Sequence, residues 1–424
     1  MTELVNREQS SVTVSAGSSR LGRPASVFGV LFLLLPLFIV FAPKGLVVWI
    51  GLTILALPRM ETWPSLATWR FSPIAGVVLL LFLWALITLY WSPVPGVEKL
   101  LWLAVVCFVG GLSLISLGAL DWPARDHVRT RLIICLVVIT VLLTFETLTG
   151  LRFGMWLLGD FDFNARLSHI GRSGAAVAVM AWVPLVLIAR RKTWTAGLRG
   201  SIIASVVLLF LLVDVVILQA FASALALTLA PLAFLLVYWR RRMGLSILGA
   251  LIIGYLFLAP TIHIWPLEQQ EEGVRTSLPF SWQYRIETWR GTAEKIFENP
   301  IFGHGFDSAR ELGQANVTMA GVVGQEIPLH PHNAFLQVWL ELGLIGVLLL
   351  AALICLILIG IGSARASPAR SGVYAAVLAS YLVIALISFS AWQTWWIACA
   401  WLAAGILSLL GGRPRVTSSA PAYS

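Results

Sequence analysis

Long apolar runs recur from about residue 27 to residue 411, each close to the length needed to cross roughly 30 Å of hydrocarbon. Backbone polar groups inside a bilayer must be satisfied within the segment, so such runs are read as helices. About twelve can be placed, at 27–42, 45–58, 73–91, 100–120, 132–150, 174–189, 201–218, 222–239, 245–261, 334–362, 372–390 and 395–411. The 424 residues are 12% charged, half the roughly 25% of soluble domains. The expected fold is an all-α integral membrane protein of about 12 transmembrane helices.

The pattern divides the chain into five parts. A polar, Ser-rich tail covers 1–26 and is expected to be disordered and cytoplasmic. A membrane domain of about nine helices follows at 27–261, then a large loop at 262–333. About three more helices occupy 334–411, and a second tail covers 412–424. No small-residue cleavage site follows the first run, so it reads as an uncleaved span. The second span is short and could be tilted or re-entrant. From Ser201 to Trp239 the only charge is Asp214, and a tight hairpin near Gln219 fits that length into two spans. Pro36, Pro184 and Pro231 predict kinks. Cys107, Cys135, Cys355 and Cys399 all fall in spans and read as packing residues.

The formal net charge of +9 raises a nucleic-acid reading, which the distribution of the charge excludes. The cations cluster between apolar runs, as membrane orientation requires. Nineteen of the 29 Lys and Arg fall on one side, which places both termini in the cytoplasm. Of the other ten, all but Lys44 and Lys99 lie in two outside loops. Arg152, Arg166 and Arg172 lie in one; Arg275, Arg285, Arg290, Lys295 and Arg310 lie in the larger. Cations on the disfavoured side point to an anionic ligand. The bland alternative is pairing with Asp160, Asp162, Glu271, Glu287 and Glu294.

Roughly seventy residues far exceed what a connector needs, and loops of that length are functional or disordered. This one contains Trp282, Tyr284, Ile286, Trp289, Ile296 and Phe297, interleaved with charges, which predicts an amphipathic helix over 281–298. Asn299-Pro300 ends it. The run "IFGHGF" (301–306) is a glycine-rich turn that brings backbone close to another group. His332 and Asn333 stand where the next span begins. Asn333 is a natural N-cap, and a neutral histidine there is a competent general base near pH 7. A capping Asn and an interfacial His without chemistry would look the same.

Taken together, "YRIETWRGTAEKIFENPIFGHGF" (284–306) and "HPHNAFLQVWLELGLIG" (330–346) resemble the O-antigen ligase and O-antigen polymerase superfamily. The resembling core runs from the span near 222 through the one ending near 362. The resemblance implies a GT-C-like, metal-independent, cofactor-free glycosyltransferase in the bacterial inner membrane, with a periplasmic active site. Its donor would be a polyprenyl-diphosphate-linked glycan. The acceptor would be a lipid A core for a ligase, or another lipid-linked repeat unit for a polymerase. By position, Arg285 matches the arginine that contacts the donor diphosphate, and His332 the histidine that activates the acceptor hydroxyl. One departure stands out: relatives carry a Ser-Arg-Gly-Ala-like motif where this chain reads "LQAFASALAL" (218–227).

Arg172 and Arg166 are therefore the candidates for the missing cation. Arg290, Gly303, His304, Gly305 and Asn333 complete the expected substrate-binding set. His330 and His332 are two residues apart and would need Glu326 or Asp307 to form a metal site, so no metal is expected. Glu146, Asp214 and Glu341 are acids within spans, costly unless paired or functional. They keep open a second class, a membrane transporter or flippase, although Asp214 and Glu341 could equally orient the catalytic arginines.

Overall fold

The computed structural model describes residues 22–57, 72–159, 161–189, 198–264, 280–313, 316–319, 322–363 and 367–411. The terminal tails up to residue 21 and from 412, the basic run at 190–192, and Asp160, Glu271 and Arg275 lie outside the described residues.

The helices are α1 (Arg23–Phe41), α2 (Leu46–Leu52), α3 (Pro73–Thr88), α4 (Val97–Gly118), α5 (Trp122–Leu148), α6 (Arg152–Leu158), α7 (Phe163–Met180) and α8 (Trp182–Ala189). They continue as α9 (Leu198–Ile217), α10 (Phe221–Trp239), α11 (Arg241–Ile264), α12 (Phe280–Glu298), α13 (Ala309–Leu312), α14 (Ala334–Ile361), α15 (Pro368–Ala385) and α16 (Thr394–Ser408). Two short antiparallel strands, β1 (Asn316–Met319) and β2 (Val322–Gln325), pair Asn316 with Gln325.

Among the described residues, eight helices are long and apolar enough to cross a membrane, and α7 with α8 makes a ninth span bent by 47°. The other three expected spans coincide with shorter apolar segments, Pro43–Ala56, Pro73–Thr88 and Thr394–Ser408. Length and composition alone therefore support nine of the expected dozen. Apolar side chains such as Leu79, Leu101, Val141, Leu251 and Ile359 are exposed, the inverse of a water-soluble surface and the arrangement a lipid solvent favours.

The bend between α7 and α8 falls one turn before Pro184, whose ring clashes with the carbonyl four residues earlier. Pro36 and Pro231, by contrast, stay inside continuous helices. The hairpin at Gln219 is present, with Gln219 itself in the left-handed region at φ 56°. The amphipathic loop helix spans 280–298, within one residue of expectation.

The interior forms two apolar clusters. One is built from α1, α2, α5, α7–α10, α15 and α16. The other joins α3, α11, α12 and α14, and α4 contributes to both. Hence the large loop does not stand apart from the membrane helices, because Trp289 and Ile296 of α12 and Phe306 pack into the second cluster.

The most distinctive local feature is a break in α14. Gly343 has φ 62° and ψ −164°, which interrupts the helical hydrogen bonds. The freed groups find partners in the 300–305 segment and in Trp84 of α3. His304 N–H donates to the Leu340 carbonyl at 2.8 Å, and Gly305 N–H donates to Glu341 at 2.9 Å. Leu344 N–H donates to the Pro300 carbonyl at 2.9 Å, and Trp84 Nε1 donates to Leu342 at 2.8 Å. A Cβ on Gly343 would lie 2.3 Å from the Ile301 oxygen, so only glycine permits this approach.

Candidate active site

Alternate connections of the bundle meet at one end: the start of α7, the α9–α10 hairpin, the start of α12, the segment before α14 and the α15–α16 connection. Together they enclose a cavity of about 440 Å³, within the range typical of ligand pockets. Arg172, Arg285, His330 and His332 all line it, with Gln393 and the Gln219–Ser223 stretch. The cavity lies between the two apolar clusters, taking Arg172 from α7 and Arg285 from α12.

Arg172 reaches the cavity where α7 packs on α10. The contact is close: a Cβ on Gly174 would lie 3.0 Å from the Ser223 hydroxyl. Phe221 and Ser223, at the position where the resemblance places an arginine, line the same cavity. Arg172 Nη2 donates to Ser168 Oγ at 3.0 Å, whereas its buried Nη1 has no partner among the described residues. Arg285 is alike. Its Nη1 donates to the Ser281 carbonyl at 3.0 Å, and its buried Nε has no partner among the described residues. Trp282 lies against this guanidinium, 5.6 Å from ring centre to Cζ. Burial pulls Arg285 below the ordinary arginine value, yet a guanidinium stays cationic in a protein. Two half-buried cations, each with one buried and unused N–H, are costly without an anionic partner.

His332 is fixed from two sides. Its Nδ1 lies 2.8 Å from the Ser388 carbonyl oxygen. A carbonyl only accepts, so Nδ1 carries the proton and Nε2 keeps its lone pair. The His332 backbone N–H donates to His330 Nδ1 at 3.1 Å. These bonds hold His332 at φ 55°, a left-handed conformation that costs a non-glycine residue about 1–3 kcal/mol. Burial pushes the His332 imidazole below its ordinary value of 6.5; the Ser388 hydrogen bond opposes this and the Arg285 charge adds to it. His330 is pushed down to about 3, by burial first and then by His332 and Lys99. Both rings are therefore neutral at pH 7.

The other expected site residues lie elsewhere. Arg166 is buried in an ion pair with Glu146 at 3.2 Å and does not line the cavity. Arg290 pairs with Glu294 one helical turn away, at 3.0 Å. Gly303 and Gly305 approach the α14 break and Ser92, not the cavity, and His304 Nε2 meets the Lys295 carbonyl at 2.8 Å. Asn333 is buried, caps α14 by accepting from Phe335 and Leu336 N–H, and donates to the Tyr255 hydroxyl at 2.9 Å.

The intramembrane acids also differ from expectation. Asp214 accepts from Thr144 Oγ1 at 2.8 Å. Glu341 accepts from Gln337, Trp392 and the Asp307 N–H. Neither meets an arginine among the described residues; Glu146 is the acid that does. No three His, Cys, Asp or Glu among the described residues are grouped to hold a metal ion.

Among the cavity residues outside the expected set are Ser388, Gln393 and His330. His330 had a signal in the alternation of "HPH", which sets two rings 4.3 Å apart. Ser388 and Gln393 had none, since they arrive from a connection that reads only as polar punctuation between spans.

Residues 206–351 match the family described as O-Antigen ligase. The chain is 27% identical over 282 residues to a Rickettsia felis protein named "Putative polysaccharide ligase", covering 65% of this chain and 66% of that one. A protein of the same name from Rickettsia bellii is 31% identical over 269 residues, covering 60% and 63%. The chain thus spans slightly less than two thirds of the length of these relatives. The matched family segment contains Arg285, the glycine turn, His332 and the break at Gly343 in α14; Arg172 lies outside it. Over residues 206–351 the chain is therefore similar to the O-antigen ligase family, and over a longer stretch to these two relatives.

Proposed function

We propose that this protein is an inverting, metal-independent glycosyltransferase that moves a glycan from a polyprenyl-diphosphate carrier to a lipid A core or related saccharide acceptor. The reaction would take place at the periplasmic face of a bacterial inner membrane. The observation that carries this reading is the shared cavity, in which Arg172, Arg285 and an Nε2-basic His332 converge.

The chemistry follows from the groups present. A departing diphosphate needs positive charge, which two guanidiniums supply through charge-assisted bonds. His332 Nε2 takes the proton from the acceptor hydroxyl. The freed oxygen attacks the anomeric carbon as the carbon–oxygen bond to diphosphate breaks, and the electron pair leaves with the diphosphate. Attack opposite the leaving group inverts the anomeric centre. The name borne by the relatives favours a ligase over a polymerase.

The test uses purified protein in lipid nanodiscs with a polyprenyl-diphosphate glycan and a saccharide acceptor. A new glycosidic product of inverted configuration is expected. Flux of the lipid-linked glycan across sealed vesicles with no covalent product would overturn the reading in favour of a flippase. Deletion in the source bacterium separates the two enzyme types. Uncapped lipid A core beside intact long polymer identifies a ligase, whereas core bearing one repeat unit identifies a polymerase.

A further inference from the structure

A second cavity, of about 640 Å³, adjoins the first, and Arg172 and Gln393 line both. Its lining is unlike that of its neighbour. It carries Lys44, Lys99, Arg172 and Arg310 against only two carboxylates, Glu98 and Asp307. Asp307 already serves two of these cations, bonding Lys99 and lying 2.7 Å from Arg310. Lys44 is exposed and has no ion pair among the described residues. Trp102, Trp392 and Trp395 complete the wall, and the Trp102 side chain is 57% exposed.

Indole faces beside surplus cations suit a ligand with apolar sugar faces and anionic substituents. The connection between the cavities gives direction. Gln393 stands at the junction, 3.5 Å from His330, which neighbours His332. A ligand with its bulk in the second cavity would pass Gln393 on the way to His332.

We propose that this second cavity is the acceptor site and that it takes a phosphorylated saccharide, held by Lys44 and the Trp102 face. The proposal rests on the transferase reading above and adds to it the location and charge of the acceptor.

The experiment measures equilibrium binding of two probes to the full-length protein in nanodiscs. One is a diphosphorylated glucosamine disaccharide, with its dephosphorylated form as control; the other is geranylgeranyl diphosphate. Lys44→Gln and Trp102→Ala remove exposed side chains, so folding is retained. Each is expected to weaken the phosphorylated disaccharide at least fivefold and leave geranylgeranyl diphosphate unchanged. Arg285→Gln is expected to do the reverse. Equal binding of the two disaccharide forms would overturn the proposal. So would loss of disaccharide binding in Arg285→Gln but not in Lys44→Gln or Trp102→Ala. Diphosphate binding insensitive to Arg285→Gln would instead overturn the donor reading on which the proposal rests.

Discussion

The Glu146–Arg166 region and the Arg172–Arg285 region both withdraw guanidinium groups from water, and they do so in opposite ways. Arg166 and Arg172 stand six residues apart on the same helix. Arg166 is 3% exposed, meets a carboxylate that is itself fully buried, and rests on the Phe41 ring. Its charge is answered inside the protein. Arg172 and Arg285 have no carboxylate partner among the described residues; each keeps a buried N–H without an acceptor there, as Arg166 also does, so the missing carboxylate is what sets them apart. The difference separates a cation answered within the bundle from a pair left for the proposed donor diphosphate. Charge type and sidedness alone could not make that distinction.

The comparison can be broken from the binding side first. His332→Ala removes the proposed base and is expected to lower kcat by about 10²- to 10⁴-fold, with geranylgeranyl diphosphate binding retained. Full transfer by that variant would sink the assignment of the base. In the unaltered protein, transfer requires neutral His332, so activity should fall as pH drops through its folded pKa. That value lies below 6.5, and the acidic limb of a kcat/KM–pH profile should lie there too. A limb at or above 6.5 would place the base elsewhere.

From the structural side, Arg166→Met leaves Glu146 buried and uncompensated, at an expected cost of about 3–5 kcal/mol in stability. Thermal unfolding should report it, and Glu146→Leu added to Arg166→Met should recover most of the loss. Normal stability together with lost donor binding would make Arg166 a ligand after all. Arg172→Gln and Arg285→Gln should each weaken donor binding by about 10- to 100-fold, given about 1.5–3 kcal/mol for a hydrogen bond to a charged group. An unaffected Arg172→Gln would leave the second cation unassigned. The smallest effect belongs to Arg290→Ala, whose partly exposed pair with Glu294 contributes no more than about 1 kcal/mol. Any large drop in transfer there would extend the site along α12.

Much of this architecture was legible in the chain. Apolar length announced the membrane, the uncharged stretch around Asp214 located the Gln219 hairpin, and alternating aromatic and charged residues placed α12 within one residue. Arg285 and His332 could be picked out because their motifs are local. What failed to show was pairing across distance. Whether Arg166 or Arg172 faces a cavity depends on Glu146, which lies on α5 and is separated from α7 by the connection that carries α6. Gly303 and Gly305 read as a ligand cradle because glycine marks close approach without saying what approaches. Their partner is a helix break at Gly343, hidden in a run apolar enough to pass for an unbroken span.

That break has a consequence for how the protein is made. Residues 300–305 leave the ribosome before α14, yet they supply the hydrogen-bond partners that α14 needs at Leu340, Glu341 and Leu344. Backbone groups left open in hydrocarbon cost several kcal/mol each. The span therefore cannot rest in lipid as an independent segment and then await its loop. Loop and helix must assemble as one unit, so a graft that exchanged either half between relatives without the other would fail at insertion before it failed at chemistry.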